Sequence, residues 1–347
     1  MTDKPLVSVN ILTYNAQDLI GSCLKSVLKQ TYNNIKVLVI DNASTDKTLD
    51  VIRRISPKIR IIRNKNNLGL SIGYNTGIRE SKGEYVLCLN QDVVLDGDFV
   101  KNAIEAIEVD DKIAGVQGKL FKSKIRNTKY EIRDTILDTT GLVIFKNRRI
   151  VNRGMGEKDK RQYKRGEIFG VDGAAPLYRR SALEDIKLPI FRGATPKSEK
   201  FEYFDEDFFM YKEDVDLSWR FRLYGWKTIY EPEAVGYHLR GAGEKAVRNY
   251  IAIVKERRKI SGFAKYYAFK NQRLMQIKNE LAGLFFCHFY CILIKEVAAW
   301  FYALSFEKYA WKAIVSLFKQ IPNARRKRKI LMKRKRIGAN EMKRWFM

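Results

Sequence analysis

Cysteine is scarce in this 347-residue chain: there are four (Cys23, Cys88, Cys287 and Cys291) and no CxxC spacing among them. No disulfide framework can be read from that pattern, and the composition fits a reducing cytosol. Cys287 and Cys291 lie one helical turn apart around His288 in an apolar run. That is too few ligands for a zinc site, so buried free thiols are expected. Only two histidines occur, and His238 is alone in the first 240 residues. Internal repeats and Gly/Ser linkers are missing. The opening MTDKPLVSVN enters a strand pattern without the long apolar segment of a signal peptide, which predicts a protein that stays inside the cell. The glycines of NLGLSIGYNTG lack the spacing of a dinucleotide fingerprint or a P-loop, which sets aside NAD and ATP enzymes.

Acidic residues are also in short supply, 39 Asp and Glu against 66 Lys and Arg, for a net charge of +27. The imbalance is uneven. Residues 241–347 hold 25 basic and 6 acidic side chains, whereas the first 240 hold 41 and 33. The expectation is an ordinary globular domain over 1–240 and a basic, partly apolar helical region over 241–347. A basic tail suits an acidic surface, either anionic lipid or nucleic acid.

What is present is a strand–helix alternation. LVSVNIL reads as a buried strand, followed by a helix around Gln17–Gln30, the strand IKVLVID to Asp41, a helix near Thr45–Ile55, the strand IRIIRN, a helix over Ser71–Ser81, and the strand EYVLCLNQD ending at Asp92. This order predicts an α/β fold with a mostly parallel sheet covered on both faces. Ligands of such sheets sit at the carboxyl ends of the strands, where Asp41 and Asp92 lie. After Val109 the pattern loosens. TGLVIFKNRRIVNRG suggests a hairpin, KDKRQYKRGE an exposed basic loop, VDGAAPLYRRSALEDI a turn entering a helix, and WKTIYEPEAVGYHLRG a strand, a turn and a second strand.

Four motifs carry candidate chemistry. Asp92 and His238 are candidates for a divalent cation (Mg²⁺ or Mn²⁺), which a nucleoside diphosphate requires on its phosphates. Asp41, opening DNASTD, can accept the imide N–H of a pyrimidine or serve a helix N-terminus. In NLGLSIGYNTG, Asn67, Gly69, Gly73, Asn75 and Gly77 let backbone approach a ligand closely. Finally, YKEDVDLSWR sets Glu213, Asp214 and Asp216 among aromatics. They are either a solvated first helical turn or an active-site base. Leu217, Phe221 and Tyr224 then point one face of a helix into the core, up to Gly225.

Together VSVNILTYN, VLVIDNASTD, NLGLSIGYNTGI, YVLCLNQDV, GVDGAAPLYRR, FFMYKEDVDLSWR and YEPEAVGYH, in that order over residues 6–240, resemble glycosyltransferase family 2, the inverting GT-A enzymes, and within it the rhamnosyltransferase-like branch. The resemblance implies that Asp214 is the base and that Asp92 makes the metal contact, with His238 beside it. It implies that Asp41 reads the pyrimidine, that Thr13 and Asn15 lie near the nucleoside, that Asn67, Gly69 and Asn75 contact the donor, and that Gly173 and Ala174 line the sugar pocket. Where many members carry Asp-x-Asp, this chain has Asn90-Gln91-Asp92, an Asn-x-Asp variant common in that branch. The implied partners are a nucleotide-diphosphate sugar, such as dTDP-rhamnose, and a cell-envelope glycan or lipid-linked acceptor. Tyr211 and Trp219 are expected to exclude water from Asp214 and raise its basicity, and Asp216 to pair with Arg220.

In the tail, LAGLFFCHFYCILI holds 14 residues, short of the roughly 20 that span a bilayer. A membrane span is disfavoured, and an interfacial or re-entrant helical pair is expected, with RRKRK (325–329) and KRKR (333–336) at anionic headgroups; the alternative is a soluble helical subdomain. Localisation is therefore expected to be cytoplasmic, at the inner face of a membrane. A basic nucleic-acid binder and a nucleotidyltransferase on a related sheet are the rival readings. Nucleic acid is not expected as a partner, because the positive charge clusters beside apolar helices and not beside stacking aromatics on a sheet.

Overall fold

The structure is a computed structural model and describes residues 4–126, 129–192, 195–239, 257–258 and 260–347. The first half alternates strand and helix: β1 (Val7–Thr13), α1 (Ile20–Leu28), β2 (Ile35–Asp41), α2 (Thr48–Ile55), β3 (Arg60–Arg63), α3 (Gly69–Glu80), β4 (Tyr85–Asn90), β5 (Val93–Leu95) and α4 (Phe99–Ile107). Then come β6 (Ile113–Arg126), β7 (Lys129–Thr139), β8 (Leu142–Ile144), β9 (Ile150–Asn152), β10 (Gly166–Ile168), β11 (Leu177–Arg179), α5 (Arg180–Ile186), β12 (Leu188–Arg192), β13 (Thr195–Glu202), α6 (Glu213–Leu223) and β14 (Lys227–His238). Helices α7 (Gly262–Asn279), α8 (Ala282–Cys287), α9 (Phe289–Phe306), α10 (Ala310–Arg334) and α11 (Ala339–Met342) follow.

The main sheet runs β10-β14-β6-β11-β4-β1-β2-β3, with β5 on β14 and β7 on β6. Its β4-β1-β2-β3 part is parallel, and β11 is antiparallel to both neighbours. Alternation along the strands separates two cores. Val9, Ile11, Leu87 and Leu89 pack with α1 and α4, while Leu12, Ile40, Val86 and Cys88 pack with α3, α5 and α6. The hairpin, the exposed basic loop and the turn into α5 lie where the sequence pattern put them.

Several expectations are corrected. The fourth strand stops at Asn90, so Asp92 sits in the turn before β5. The segment after Val109 contains β6, a 14-residue strand that pairs along its length with β14, β11 and β7. The WKTIYEPEAVGYH segment is one strand, β14, and its break around Pro232 is a register shift between Glu231 and Val235. Cys287 and Cys291 are exposed free thiols; Cys23 and Cys88 are the buried ones.

The tail is no loose appendage. Leu274, Met275, Leu284, Leu317, Leu331 and Met342 join the core cluster that holds α6. Charges bind the two parts as well. Lys278 on α7 pairs with Asp205 and Asp216, and Lys327 on α10 pairs with Glu202 (2.6 Å), Asp205 and Asp207 (2.9 Å). Thus RRKRK is not one continuous basic face: Lys327 is buried and Arg328 donates to the carbonyls of Ile277 and Glu280, while Arg325 and Lys329 are exposed. In KRKR, Arg334 and Arg336 dock on Asp185 of α5.

Candidate active site

The site gathers at the carboxyl ends of β1, β2 and β4. The β4–β5 turn is pinned to β1 through Gln91, whose Oε1 accepts from the Thr13 hydroxyl (2.9 Å) and the Tyr14 N–H (2.7 Å). Asn90 is also engaged, since its Oδ1 accepts from the Tyr74 hydroxyl at 2.7 Å and its N–H donates to the Ala174 carbonyl at 2.9 Å. With both neighbours used as scaffold, Asp92 is the one carboxylate this turn offers. Antiparallel pairing of β5 with β14 sets Val93 opposite His238 and brings His238 Nε2 to 3.4 Å from Asp92 Oδ2.

Behind the imidazole, Nδ1 lies 2.9 Å from Asp138 Oδ2 on β7. With no cation bound, both ring nitrogens carry protons, Nδ1–H toward Asp138 and Nε2–H toward Asp92; a cation would take the place of the Nε2 proton and keep the carboxylate behind the imidazole, as in a metal-binding histidine. Burial disfavours the imidazolium, yet the hydrogen bonds and charges of Asp138 and Asp92 outweigh it and move His238 up to about 9. The donor set fits a divalent cation: two ligands about 2.1 Å from one ion and at right angles are about 3 Å apart, close to the observed span. No group of three or more His, Cys, Asp or Glu side chains forms such a site among the described residues. A cation held by these two side chains would take the rest of its shell from water and a bound anion, as is usual where a cation bridges protein to phosphates.

Asp214 occupies the first turn of α6. The approach is strained, with Phe209, Tyr211 and Lys212 at φ 63°, 68° and 73°. Two contacts hold it. The amide of Asn271 on α7 donates to the carbonyls of Phe208 (2.9 Å), Met210 (2.8 Å) and Tyr211 (2.8 Å). The Phe209 carbonyl receives the N–H groups of Leu70 (2.6 Å) and Ser71 (3.2 Å) at the start of α3. That second contact requires Gly69, at φ +81°, because a Cβ there would stand 2.4 Å from the Phe209 oxygen.

The Asp214 carboxylate accepts from the Gly173 N–H (3.1 Å) and the Val215 N–H (2.8 Å). Burial first and the Asp172 charge second raise it to about 6, against the opposing pull of Lys212 and the two N–H donors. Glu213 turns inward. Burial, then Asp214 and Asp172, push it up to about 8, so it is neutral at pH 7. Asp216 is structural: it pairs with Arg220 (3.0 Å) and Lys278 (2.8 Å) and accepts from Asn279 (2.7 Å). Tyr211 is 40 % exposed and Trp219 packs in the core on Phe169 and Phe346, so neither aromatic supplies the expected shield. The chain at Asp172 and Gly173, folded against the carboxylate, covers it in their place.

The remaining expected residues divide into two groups. Asn15 Oδ1 accepts the Thr45 N–H at 2.8 Å, tying the β1–α1 loop to the β2–α2 loop beside Thr13. Asp41 is fully buried there, accepting from the Ser44 N–H at 3.1 Å with Arg63 3.5 Å away. Asn67 caps the Gly69 N–H at 3.0 Å, and Asn42 reaches the Gly69 carbonyl at 3.1 Å. Gly173 and Ala174 link the halves, the first bonded to Asp214 and the second to Asn90. Asn75 stands apart, since its amide is spent on the backbone of Tyr203 and Phe204. Sequence reasoning passed over Asp138, Asp172 and Asn271. Asp172 alone carried a signal, standing inside the GVDGAAP motif.

The family model for glycosyl transferase family 2 matches residues 8–187, more than half of the chain. The chain belongs to glycosyltransferase family 2. Among curated proteins it is 26 % identical over 235 residues to the poly-beta-1,6-N-acetyl-D-glucosamine synthase of Staphylococcus epidermidis, covering 67 % of this chain and 50 % of that protein. It thus spans about half the length of the curated relatives it matches. Among solved structures it resembles S. aureus TarS 1–349, with TM-score 0.54 and 16 % identity over 95 % of this chain and 86 % of that one. It also resembles a mannosyltransferase from Pyrobaculum calidifontis in complex with GDP-Man and Mn²⁺, with TM-score 0.50 and 18 % identity over the same shares. At such identities the likeness shows the fold, which is that of the GT-A glycosyltransferases.

Proposed function

We propose that this family 2 chain is an inverting glycosyltransferase that moves a sugar from a nucleoside-diphosphate donor onto a hydroxyl of a cell-envelope glycan or lipid-linked acceptor. The observation that carries the reading is Asp214, a half-buried carboxylate moved up to about 6 and aimed by the Gly173 N–H, on the same strand-end surface as Asp92 and His238. A sugar hydroxyl is a weak nucleophile. Asp214 takes its proton as the oxygen attacks C1 of the donor from the side opposite the diphosphate, so the C1–O bond to phosphate breaks as the new bond forms and the configuration inverts. Asp92 and His238 would hold a divalent cation, Mg²⁺ or Mn²⁺, which when bound offsets the negative charge of the diphosphate. The loop surface at exposed Asn15 takes the nucleoside, with Thr13 and buried Asp41 behind it, Asn67 and Gly69 lie along the donor, and Gly173 and Ala174 border its sugar.

Two donors are in competition. The Asn90-Gln91-Asp92 variant and the motif set favour dTDP-rhamnose. The relatives favour an N-acetylglucosamine donor, being a poly-N-acetylglucosamine synthase and TarS, which is solved with UDP-GlcNAc. Donor hydrolysis across a panel of nucleotide sugars separates them. Release of pyrophosphate from a nucleoside triphosphate, with no nucleoside diphosphate from any sugar donor, would overturn the assignment in favour of a nucleotidyltransferase. The enzyme works in the cytoplasm, peripherally bound at the inner face of the membrane that carries its acceptor.

A further inference from the structure

We propose that α9 and the first half of α10 form one docking surface that lies flat in the headgroup region of an anionic bilayer, in place of the two basic runs near the C-terminus. The proposal rests on the membrane-associated reading above and names the surface responsible. Helix α9 is the one described helix long and apolar enough to cross a membrane, with mean hydropathy 1.4, yet only 11 % of it is buried. Its side chains Tyr290, Ile294, Val297 and Phe301, all 60–78 % exposed, recur at i, i+4, i+7 and i+11, a single outward stripe. On α10, exposed Trp311 and Phe318 extend the same apolar character. An uncovered surface of that extent calls for an apolar partner.

The charges within α9 explain why it lies on the membrane and does not cross it. Lys295 and Glu296 pair with each other, and Glu296 takes Arg273 of α7 at 2.7 Å. The polar side of α9 is thereby fastened to the protein, and the apolar stripe is left free on the other side, the pattern of a helix lying in the interface plane. Charge selects among the possible partners. Between residues 281 and 340 the only carboxylates are Glu296 and Glu307, and Glu307 is occupied by Arg257 at 2.7 Å. Lys308, Lys312 and Lys319 are exposed, and Lys312 and Lys319 border a groove of about 410 Å³ with Trp311, Val315 and Ser316. Two copies of this chain meeting here would bring lysines together with no acid to answer them. An anionic lipid surface satisfies both the lysines and the apolar stripe, whereas a nucleic acid would leave the stripe in water.

The full-length chain is tested by flotation with vesicles of phosphatidylcholine alone or mixed with phosphatidylglycerol. It should float with the anionic vesicles and only weakly with the neutral ones. The pair Phe301→Ser and Phe318→Ser, both at exposed positions, should abolish flotation. The pair Lys312→Gln and Lys319→Gln should lower the partition coefficient on the order of 30-fold at low salt, with the difference shrinking as salt rises. Lys333→Gln with Lys335→Gln, outside the surface, should leave it unchanged. Absence of flotation, equal flotation of every variant on neutral vesicles, or loss of a dimer in sedimentation with the serine pair would each overturn the proposal. Donor hydrolysis by the same preparations reads the transferase assignment separately: hydrolysis without flotation sinks the surface alone, and flotation without hydrolysis of any donor sinks the transferase reading alone.

Discussion

The acid limb of the pH–rate profile is the sharpest test of Asp214. An aspartate ordinarily titrates near 3.9 and would remain mostly ionised at pH 5. Here burial and the neighbouring Asp172 move it to about 6. Since the base acts only when ionised, the rate should climb with pH through that value: about nine-tenths of the enzyme is competent at pH 7 and about one-tenth at pH 5, a fall of about tenfold. Replacing Asp172 by Asn removes the second cause and leaves the first, so the limb should move to lower pH without reaching the ordinary value. An amide at 172 can still accept the Ala174 N–H. Asp214→Asn removes the base and should lower turnover by roughly 10²–10⁴ with donor affinity nearly kept. Glu213→Gln imitates a side chain that is already neutral at pH 7 and should leave turnover within a few-fold. Initial rates of glycosyl transfer at saturating donor, from pH 5 to 8, with donor affinity measured by calorimetry, give every quantity needed. A flat profile over that range would refute a base raised to about 6, and a limb displaced toward 8, with Asp214→Asn at near wild-type turnover and Glu213→Gln inactive, would transfer the role of base to Glu213.

Other consequences can be measured as directly. Asp92→Ala should weaken donor binding in Mg²⁺ or Mn²⁺ and His238→Ala should do so more mildly; full activity in excess chelator would remove the cation from the mechanism. Lys327→Met removes the cation from buried Glu202 and from Asp207, leaves Asp205 with Lys278 alone, and should cost about 3–5 kcal/mol, read as a large drop in the thermal midpoint; cutting the chain at Ala324 should for the same reason yield insoluble protein. Asn271→Ala frees three carbonyls of the strained 208–211 segment and should lower kcat more than it raises the donor KM, an outcome that equal changes in both would contradict.

The catalytic half was legible in the chain because its pattern is local. Apolar runs of strand length alternating with amphipathic helices, such as VSVNILT and IKVLVID, demand a covered parallel sheet whatever lies elsewhere, and acids at the strand ends then fall at the ligand-binding edge. The pairing of Asp216 with Arg220, one helical turn apart, was readable for the same reason. What could not be read was which distant group each side chain would meet. Asp138 and His238 are 100 residues apart and become partners only because β7, β6 and β14 lie in one sheet. Asn271 reaches the loop before the base because α7 packs against α6. The basic run at 325–329 looks alike from end to end, yet Lys327 faces three carboxylates while Lys329 faces water. Composition records how many charges a segment carries, but the direction each one takes on its helix acquires an energy only when a second element supplies the opposite charge or the apolar wall. That choice between core and solvent was made by packing.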